Sequence, residues 1–143
     1  KDLGMMAMNY GYVYVAQICM GADKNQVLKA MAEAEAYNGP SLIIAYSPCI
    51  EHGIKTGMQH SQSNGYLATK CGYFLTFRYN PDTKKFSLDS KEPEFDKYED
   101  YLMTENRFAS LVRKDKERAR LLLEEQKQWA IDRYNYYKKI SEE

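Results

Sequence analysis

The sequence predicts an α/β fold, a partial three-layer and mostly parallel sheet followed by a helical carboxyl-terminal tail. Residues 12–20 and 41–47 are rich in β-branched and aromatic side chains, which is typical of strands. Residues 23–38 between them carry an apolar stripe with helical spacing. A strand–helix–strand order of this length indicates a right-handed crossover, so we expect the two strands to be parallel.

The boundaries of these first elements follow from local signals. Residues 2–9 read as a helix that ends near Gly11, and Asp23 or Asn25 is suited to cap the crossover helix. Five of the first six residues of the second strand are apolar without alternation, in the run Ser-Leu-Ile-Ile-Ala-Tyr. Such a run predicts a strand covered on both faces.

The middle of the chain predicts a loop and then a hairpin. Residues 51–63 have no hydrophobic period and are expected to form a loop over the carboxyl edge of the sheet. A short helix should follow, from Ser61 or Ser63 to Lys70. The predicted third strand is 72–79, and the turn signal Asn-Pro-Asp-Thr then favours a short return strand at 86–89.

The composition changes at Pro93. After it the charge density rises, Gly and Pro disappear, and apolar residues recur at spacings of three, four and seven, which indicates amphipathic helices. We therefore divide the chain into an α/β portion, 1–93, and a helical tail packed on it, 94–143.

Charge and cysteine usage exclude several classes of protein. Twenty acidic and twenty basic residues give a formal net charge of zero, so we expect no nucleic acid and no membrane as partner. Three widely spaced cysteines do not resemble a secreted disulfide framework and favour a reducing, cytoplasmic location. The chain starts Lys-Asp-Leu-Gly, without an initiator methionine, and we expect it to be part of a longer protein.

Cys49 is the residue with the strongest functional signal. It follows the strand 41–47 directly after Pro48, at the edge of the sheet where open parallel sheets bind ligands. Pro48 restricts the backbone just before the thiol. Cys19 and Cys71 lie in an apolar strand and at a helix end, where a buried structural role is expected.

Three roles are open for Cys49. It is a nucleophile if His52 or His60 acts as its base. It is a zinc ligand with His52 if two further ligands come from elsewhere, although neither of the other cysteines forms a second close pair. It is a lone thiolate ligand if it completes an iron–sulfur cluster whose other cysteines lie in a longer chain. Residue chemistry alone does not separate the first role from the third.

Four segments carry a resemblance to a known family. They are KDLGMMAMNYGYVYVAQICMGAD (1–23), EAEAYNGPSLIIAYSPCIEHGI (33–54), FRYNP (77–81) and FSLDSKEP (86–93). Together they resemble the carboxyl-terminal part of the thiamine diphosphate-binding region of pyruvate:ferredoxin (flavodoxin) oxidoreductases. The Tyr-Ser-Pro-Cys-Ile-x-His-Gly and Phe-Ser-Leu-Asp-Ser-Lys-Glu-Pro stretches are the most specific, and the resemblance weakens beyond about residue 112.

The resemblance implies a fragment of a thiamine diphosphate-type fold from a large homodimeric enzyme. Such an enzyme oxidatively decarboxylates pyruvate, passes the two-carbon fragment to coenzyme A, and sends electrons through [4Fe–4S] clusters to ferredoxin or flavodoxin. Thiamine diphosphate, with Mg²⁺, stabilises the carbanion. The resemblance gives Cys49 the role of the fourth ligand of the cluster nearest the thiamine.

The resemblance also implies what these residues lack. The family's Gly-Asp-Gly motif for the diphosphate and Mg²⁺, and its Cys-x-x-Cys pair, do not occur in this sequence. We therefore expect the isolated chain to bind none of the cofactors and to be inactive. No defined role carries over to His52 or Gln62, for which loop ordering is expected. The alternative is a free-standing α/β protein-interaction module without catalysis.

Overall fold

The computed structural model describes residues 1–142, so Glu143 of the predicted tail lies outside the described residues. Two short 3-10 helices lie at Met58–His60 and Phe95–Lys97. The strands and α-helices occur in this order: α1 (Leu3–Met8), β1 (Tyr14–Ile18), α2 (Lys24–Ala36), β2 (Ser41–Ala45), α3 (Ser61–Lys70), β3 (Phe77–Asn80), β4 (Lys85–Leu88), α4 (Tyr98–Leu102), α5 (Asn106–Lys114) and α6 (Lys116–Glu142).

The four strands form one mixed sheet in the order β2-β1-β3-β4. β1 and β2 are parallel, with Tyr14 opposite Ser41 and Ile18 opposite Ala45, as the crossover pattern predicts. β3 is antiparallel to both β1 and β4. The α/β class is confirmed, but the parallel share is smaller than predicted, because β3 and β4 form a tight hairpin and a hairpin must be antiparallel.

Helices cover both faces of the sheet, which gives the predicted three layers. Side chains alternate along β1, so Tyr14, Ala16 and Ile18 point to one face and pack with Ala30 of α2. Val15 points to the other face, where α1 and α6 cover it. That second core contains Ala7, Phe77, Phe86, Tyr134 and Tyr137.

β2 is an edge strand, which differs from its prediction as a strand covered on both faces. Leu42 packs against the core under α1 and α6, and Ile43 packs against the core under α2. Both side chains nevertheless stay half-buried, because β2 pairs with β1 along only one of its two edges. The strand covered on both faces is β1, in which four of the five residues are buried.

Aspartate side chains cap the first two helices. Asp23 accepts hydrogen bonds from the backbone N–H groups of Asn25 and Gln26 through Oδ1, at 2.8 and 3.2 Å, and so caps α2 as predicted. Asp2 caps α1 by accepting from Met5 N at 3.0 Å. Helix α3 begins at Ser61, and Gly72, with φ of 81°, follows its end.

The third strand begins five residues later than predicted, at Phe77. Residues 73 and 74 are aromatic, which favours a strand, but their rings pack on neighbouring helices instead. The Tyr73 ring lies 4.8 Å from that of Tyr101, and the Tyr73 carbonyl accepts from Arg133 Nη2 at 2.7 Å. The predicted return strand 86–89 is observed as β4, Lys85–Leu88.

The helices after Pro93 pack onto the α/β layers and build a further core with α3. Ala68 and Cys71 of the α3 region meet Tyr98 and Tyr101 of α4 and Ala130 of α6 there. The opposite side of α6 exposes apolar residues, among them Trp129 at 72%. The division of the chain at residue 93 stays a prediction. None of the helices in residues 1–142 combines the length and the apolarity that a membrane crossing requires.

Candidate functional site around Cys49

Cys49 lies in a turn just past the carboxyl end of β2. Tyr46 continues the pairing beyond the strand by donating its backbone N–H to Ile18 O at 2.9 Å. Pro48 is buried and Cys49 half-buried. The backbone N–H of Gly53 donates to the Cys49 carbonyl at 2.9 Å and closes the turn. Gly53 has φ of 74°, a conformation that favours glycine.

The surroundings of the Cys49 sulfur favour its ionised form. Its pKa is lowered from the ordinary thiol value by the backbone N–H of His52, by the His52 ring, and by the backbone N–H of Glu51. His52 Nδ1 lies 3.1 Å from Cys49 Sγ. The turn therefore favours a thiolate at this position.

The two other cysteines have the buried environments that the sequence predicts. Cys19 and Cys71 are 2% and 1% exposed. Burial raises the pKa of Cys71 to about 11, and its S–H donates to Ala68 O at 3.5 Å. A thiol in such a site is inert as a ligand or a nucleophile.

Of the other predicted site residues, His52 lies beside Cys49, whereas His60 and Gln62 lie at the start of α3. His60 is exposed beside the amino terminus of α3, and the hydrogen bonds of the described residues bring His52, not His60, to the sulfur. Gln62 has an exposed side chain. Its backbone carbonyl lies so close to Gly21 that a Cβ there would stand 1.9 Å from the oxygen. The α3 start thus packs directly on the turn after β1.

The residues that sequence reasoning missed belong to the α4–α5 junction. Glu105 is 2% exposed and accepts hydrogen bonds through Oε1 from Tyr101 at 2.7 Å and from Tyr46 at 2.9 Å. Arg107 Nε lies 2.5 Å from Glu105 Oε2. A buried acid in a charged helical region carries no sequence signal, because its partners lie in distant segments.

The Cys49 turn alone does not complete a metal site. Across residues 1–142, His, Cys, Asp and Glu side chains nowhere gather in a group of three or more that is suited to hold a metal ion. Zinc bound by this chain's own residues would need such a group. A half-buried thiolate suits a single ligand to a group held mainly by other residues. A thiolate beside an imidazole also suits a nucleophile.

Comparison with known proteins identifies the family of the chain. The chain matches no family model. It is 52% identical over 146 aligned residues to a pyruvate-flavodoxin oxidoreductase of Enterobacter agglomerans, and 47% identical over 147 residues to a pyruvate:ferredoxin oxidoreductase of Moorella thermoacetica. Each match covers 99% of this chain. By sequence, the chain belongs to the pyruvate-flavodoxin (ferredoxin) oxidoreductase family. It spans about 12% of the length of these relatives.

The similarity extends to a relative named for another electron acceptor. A pyruvate dehydrogenase [NADP(+)] of Cryptosporidium parvum is 40% identical over an alignment of 156 positions, which covers 99% of this chain and 8% of that protein. The family resemblance of the Cys49 stretch is therefore part of a similarity that runs along nearly the whole oxidoreductase segment. An independent interaction module is not favoured.

Proposed function

We propose that this chain is the segment of a pyruvate-oxidising enzyme that supplies Cys49 as one thiolate ligand of a [4Fe–4S] cluster. The observation that carries the proposal is the Cys49 turn. It holds a half-buried thiol among amide donors that favour its ionised form, within a chain that belongs to an oxidoreductase family. Cluster irons are bound by thiolates, and hydrogen bonds to the sulfurs tune their potentials.

The reaction of the complete protein would be the oxidative decarboxylation of pyruvate. Pyruvate and coenzyme A give acetyl-coenzyme A, carbon dioxide, one proton and two electrons, and the electrons leave singly through iron–sulfur clusters. Thiamine diphosphate with Mg²⁺ supplies the carbanion chemistry when bound. The remaining cluster ligands and the diphosphate site would come from other parts of the protein, which we expect to be a cytoplasmic homodimer.

The segment itself is not expected to choose the electron acceptor. Relatives named for flavodoxin, ferredoxin and NADP⁺ share 40–52% identity with it. A segment that is similar in proteins with three differently named acceptors serves a step that they have in common. Delivery of a cluster ligand near the site of pyruvate oxidation is such a step, and ferredoxin or flavodoxin would then dock elsewhere on the complete protein.

The residues of this chain have defined parts in the proposal. Pro48 and the Gly53-closed turn orient the Cys49 sulfur, and the N–H groups of Glu51 and His52 stabilise its negative charge. His52 contributes a further donor at 3.1 Å. Cys19 and Cys71 are packing residues.

The test replaces each cysteine by serine in the complete enzyme. Cys49→Ser should abolish or destabilise one cluster, measured as iron content and as the low-temperature electron paramagnetic resonance spectrum of the reduced protein. Cys19→Ser and Cys71→Ser are matched controls. They should keep every cluster signal, at a stability cost of about 1–3 kcal/mol from a hydroxyl in an apolar site. Retention of all signals in Cys49→Ser would overturn the proposal.

A further inference from the structure

Residues 104–106, at the junction of α4 and α5, form backbone hydrogen bonds with the residues at the carboxyl-terminal side of the Cys49 turn. Lys55 N donates to Thr104 O at 2.7 Å, and Asn106 N donates to Gly53 O at 3.2 Å. Ile54 and Glu105 form an antiparallel bridge between these two bonds. The chain leaving the turn is thus held as a short ribbon against residues 104–106.

The Asn106 side chain adds the contact nearest to the sulfur. Its Nδ2 donates to the carbonyl of His52 at 2.9 Å. His52 is the residue whose ring Nδ1 lies 3.1 Å from Cys49 Sγ. Holding the His52 carbonyl therefore holds the residue whose ring contacts the sulfur. A Cβ at Gly53 would lie 3.4 Å from Asn106 Nδ2, so the Asn106 side chain also lies beside Gly53.

The same junction also holds the chain that enters the turn. Glu105 accepts from the Tyr46 hydroxyl at 2.9 Å, and Tyr46 lies three residues before Cys49. The Tyr46 and Tyr101 hydroxyls lie 2.5 Å apart, and Asn64 Nδ2 approaches Glu105 Oε1 at 3.5 Å. Glu105 is buried, and an ion pair with Arg107 compensates its charge.

We propose that Asn106, backed by Glu105, is a positioning residue that holds the Cys49 turn in the geometry of a cluster ligand. The inference rests on the proposed function. Residues 104–106 touch the chain before and after Cys49, yet none of them contacts the sulfur itself in the hydrogen bonds of residues 1–142. Outer groups of this kind orient metal ligands, and their loss typically weakens metal binding about 10–100-fold.

Asn106→Asp is the sharpest test because it keeps the shape of the side chain and replaces its donor by a carboxylate oxygen. Aspartate has the shape of asparagine but presents a carboxylate, which repels the His52 carbonyl that Asn106 now binds. Asn106 is the first residue of α5, and an acid in the first turn of a helix is favourable, so the helix should persist. Asn135→Asp, at an exposed position within α6, makes the same charge change away from the turn.

The measurement uses the complete, cluster-loaded enzyme. We expect Asn106→Asp and Asn106→Ala to have the same thermal midpoint as the Asn135→Asp control. In both Asn106 variants a chelator should bleach the cluster about 10-fold faster than in that control. The electron paramagnetic resonance signal of the cluster nearest the thiamine should change shape. A loss of folding alone would not alter that spectrum selectively.

Two results would overturn the inference, and they are distinguishable. If Cys49→Ser removes the cluster but both Asn106 variants match Asn135→Asp in bleaching rate and spectrum, the proposed function stands and the positioning role is wrong. If Cys49→Ser also leaves the clusters intact, the ligand assignment fails and the positioning role fails with it.

Discussion

Arg78 of β3 and Glu33 of α2 form an ion pair with 2.6 Å between Nη1 and Oε1, although 45 residues separate them. Arg78 also binds Asp89 through Nε at 2.9 Å and Nη2 at 2.8 Å. Its side chain is only 12% exposed. The guanidinium therefore ties the crossover helix to the hairpin through a largely buried network, to which the Tyr14 hydroxyl also donates at 2.8 Å.

Removing this guanidinium should destabilise the chain strongly. Arg78→Ala leaves the carboxylates of Glu33 and Asp89 without their partner in a partly dehydrated site. We expect the free energy of unfolding to fall by about 3 kcal/mol, measured by urea denaturation. The control is Arg120→Ala, which breaks the exposed Arg120–Glu124 pair within α6 and should cost less than about 0.5 kcal/mol. Equal losses in the two variants would contradict the assignment.

Gly21 should not tolerate any side chain. A Cβ there would stand 1.9 Å from the Gln62 carbonyl oxygen, so Gly21→Ala must displace the start of α3. We expect a loss of about 2–3 kcal/mol from this overpacking. Gly11→Ala isolates the backbone contribution, because Gly11 has φ of 77° and nothing within 4 Å of its would-be Cβ. That control should cost about 1 kcal/mol, and thermal melting of both variants tests the difference.

Stability should decline at alkaline pH because several tyrosines are buried. Burial raises the pKa of Tyr98 from 10.0 to about 12, and burial likewise raises the pKa values of Tyr14, Tyr46, Tyr101 and Tyr137. A tyrosine whose pKa is higher in the folded state than in the unfolded state makes a contribution to stability that is complete below its unfolded-state pKa. That contribution is lost as pH rises through its folded-state pKa. For Tyr98 alone the loss between pH 10 and 12 amounts to about 3 kcal/mol.

Urea unfolding across this pH window checks the alkaline prediction, with tyrosinate absorbance recorded in parallel. The buried tyrosines should ionise together with unfolding. An unfolding free energy that stays flat from pH 10 to pH 12 would refute it.

The three cysteines should differ sharply in reactivity in the chain without a cluster. Cys49 is half-buried beside donors that lower its pKa, whereas burial removes Cys19 and Cys71 from solvent. Iodoacetamide at neutral pH should therefore alkylate Cys49 alone, and the other two should react only in denaturant. Mass spectrometry of the digested protein reads this directly. His52→Ala should slow the reaction without stopping it, since the backbone donors remain.

The elements that local signals specify were predictable from sequence. Asp23 marks the start of α2, and β-branched residues on either side of that helix mark β1 and β2. The start of β3 was not predictable, because Tyr73 and Phe74 have strand propensity but find ring partners on Tyr101 and Tyr46. Tertiary packing overrides local preference there.

In the candidate site, too, some residues could be predicted from sequence and others could not. Cys49 is prominent because it follows a strand and a proline, which are features of adjacent residues. Glu105 and Asn106 act on the turn from more than fifty residues away along the chain. Their sequence neighbourhood is that of an ordinary charged helix, so nothing local distinguishes them. Such contacts appear only when the fold brings the segments together.

Trp129 is the single tryptophan of the chain and is 72% exposed on the outer side of α6. Its indole fluorescence should already resemble that of a hydrated ring in the folded protein, so its emission maximum will shift little when the core melts. The same property makes it a built-in optical label for this helix. A blue shift of its emission would report that another surface, from the remainder of the enzyme or from a second molecule, has covered α6.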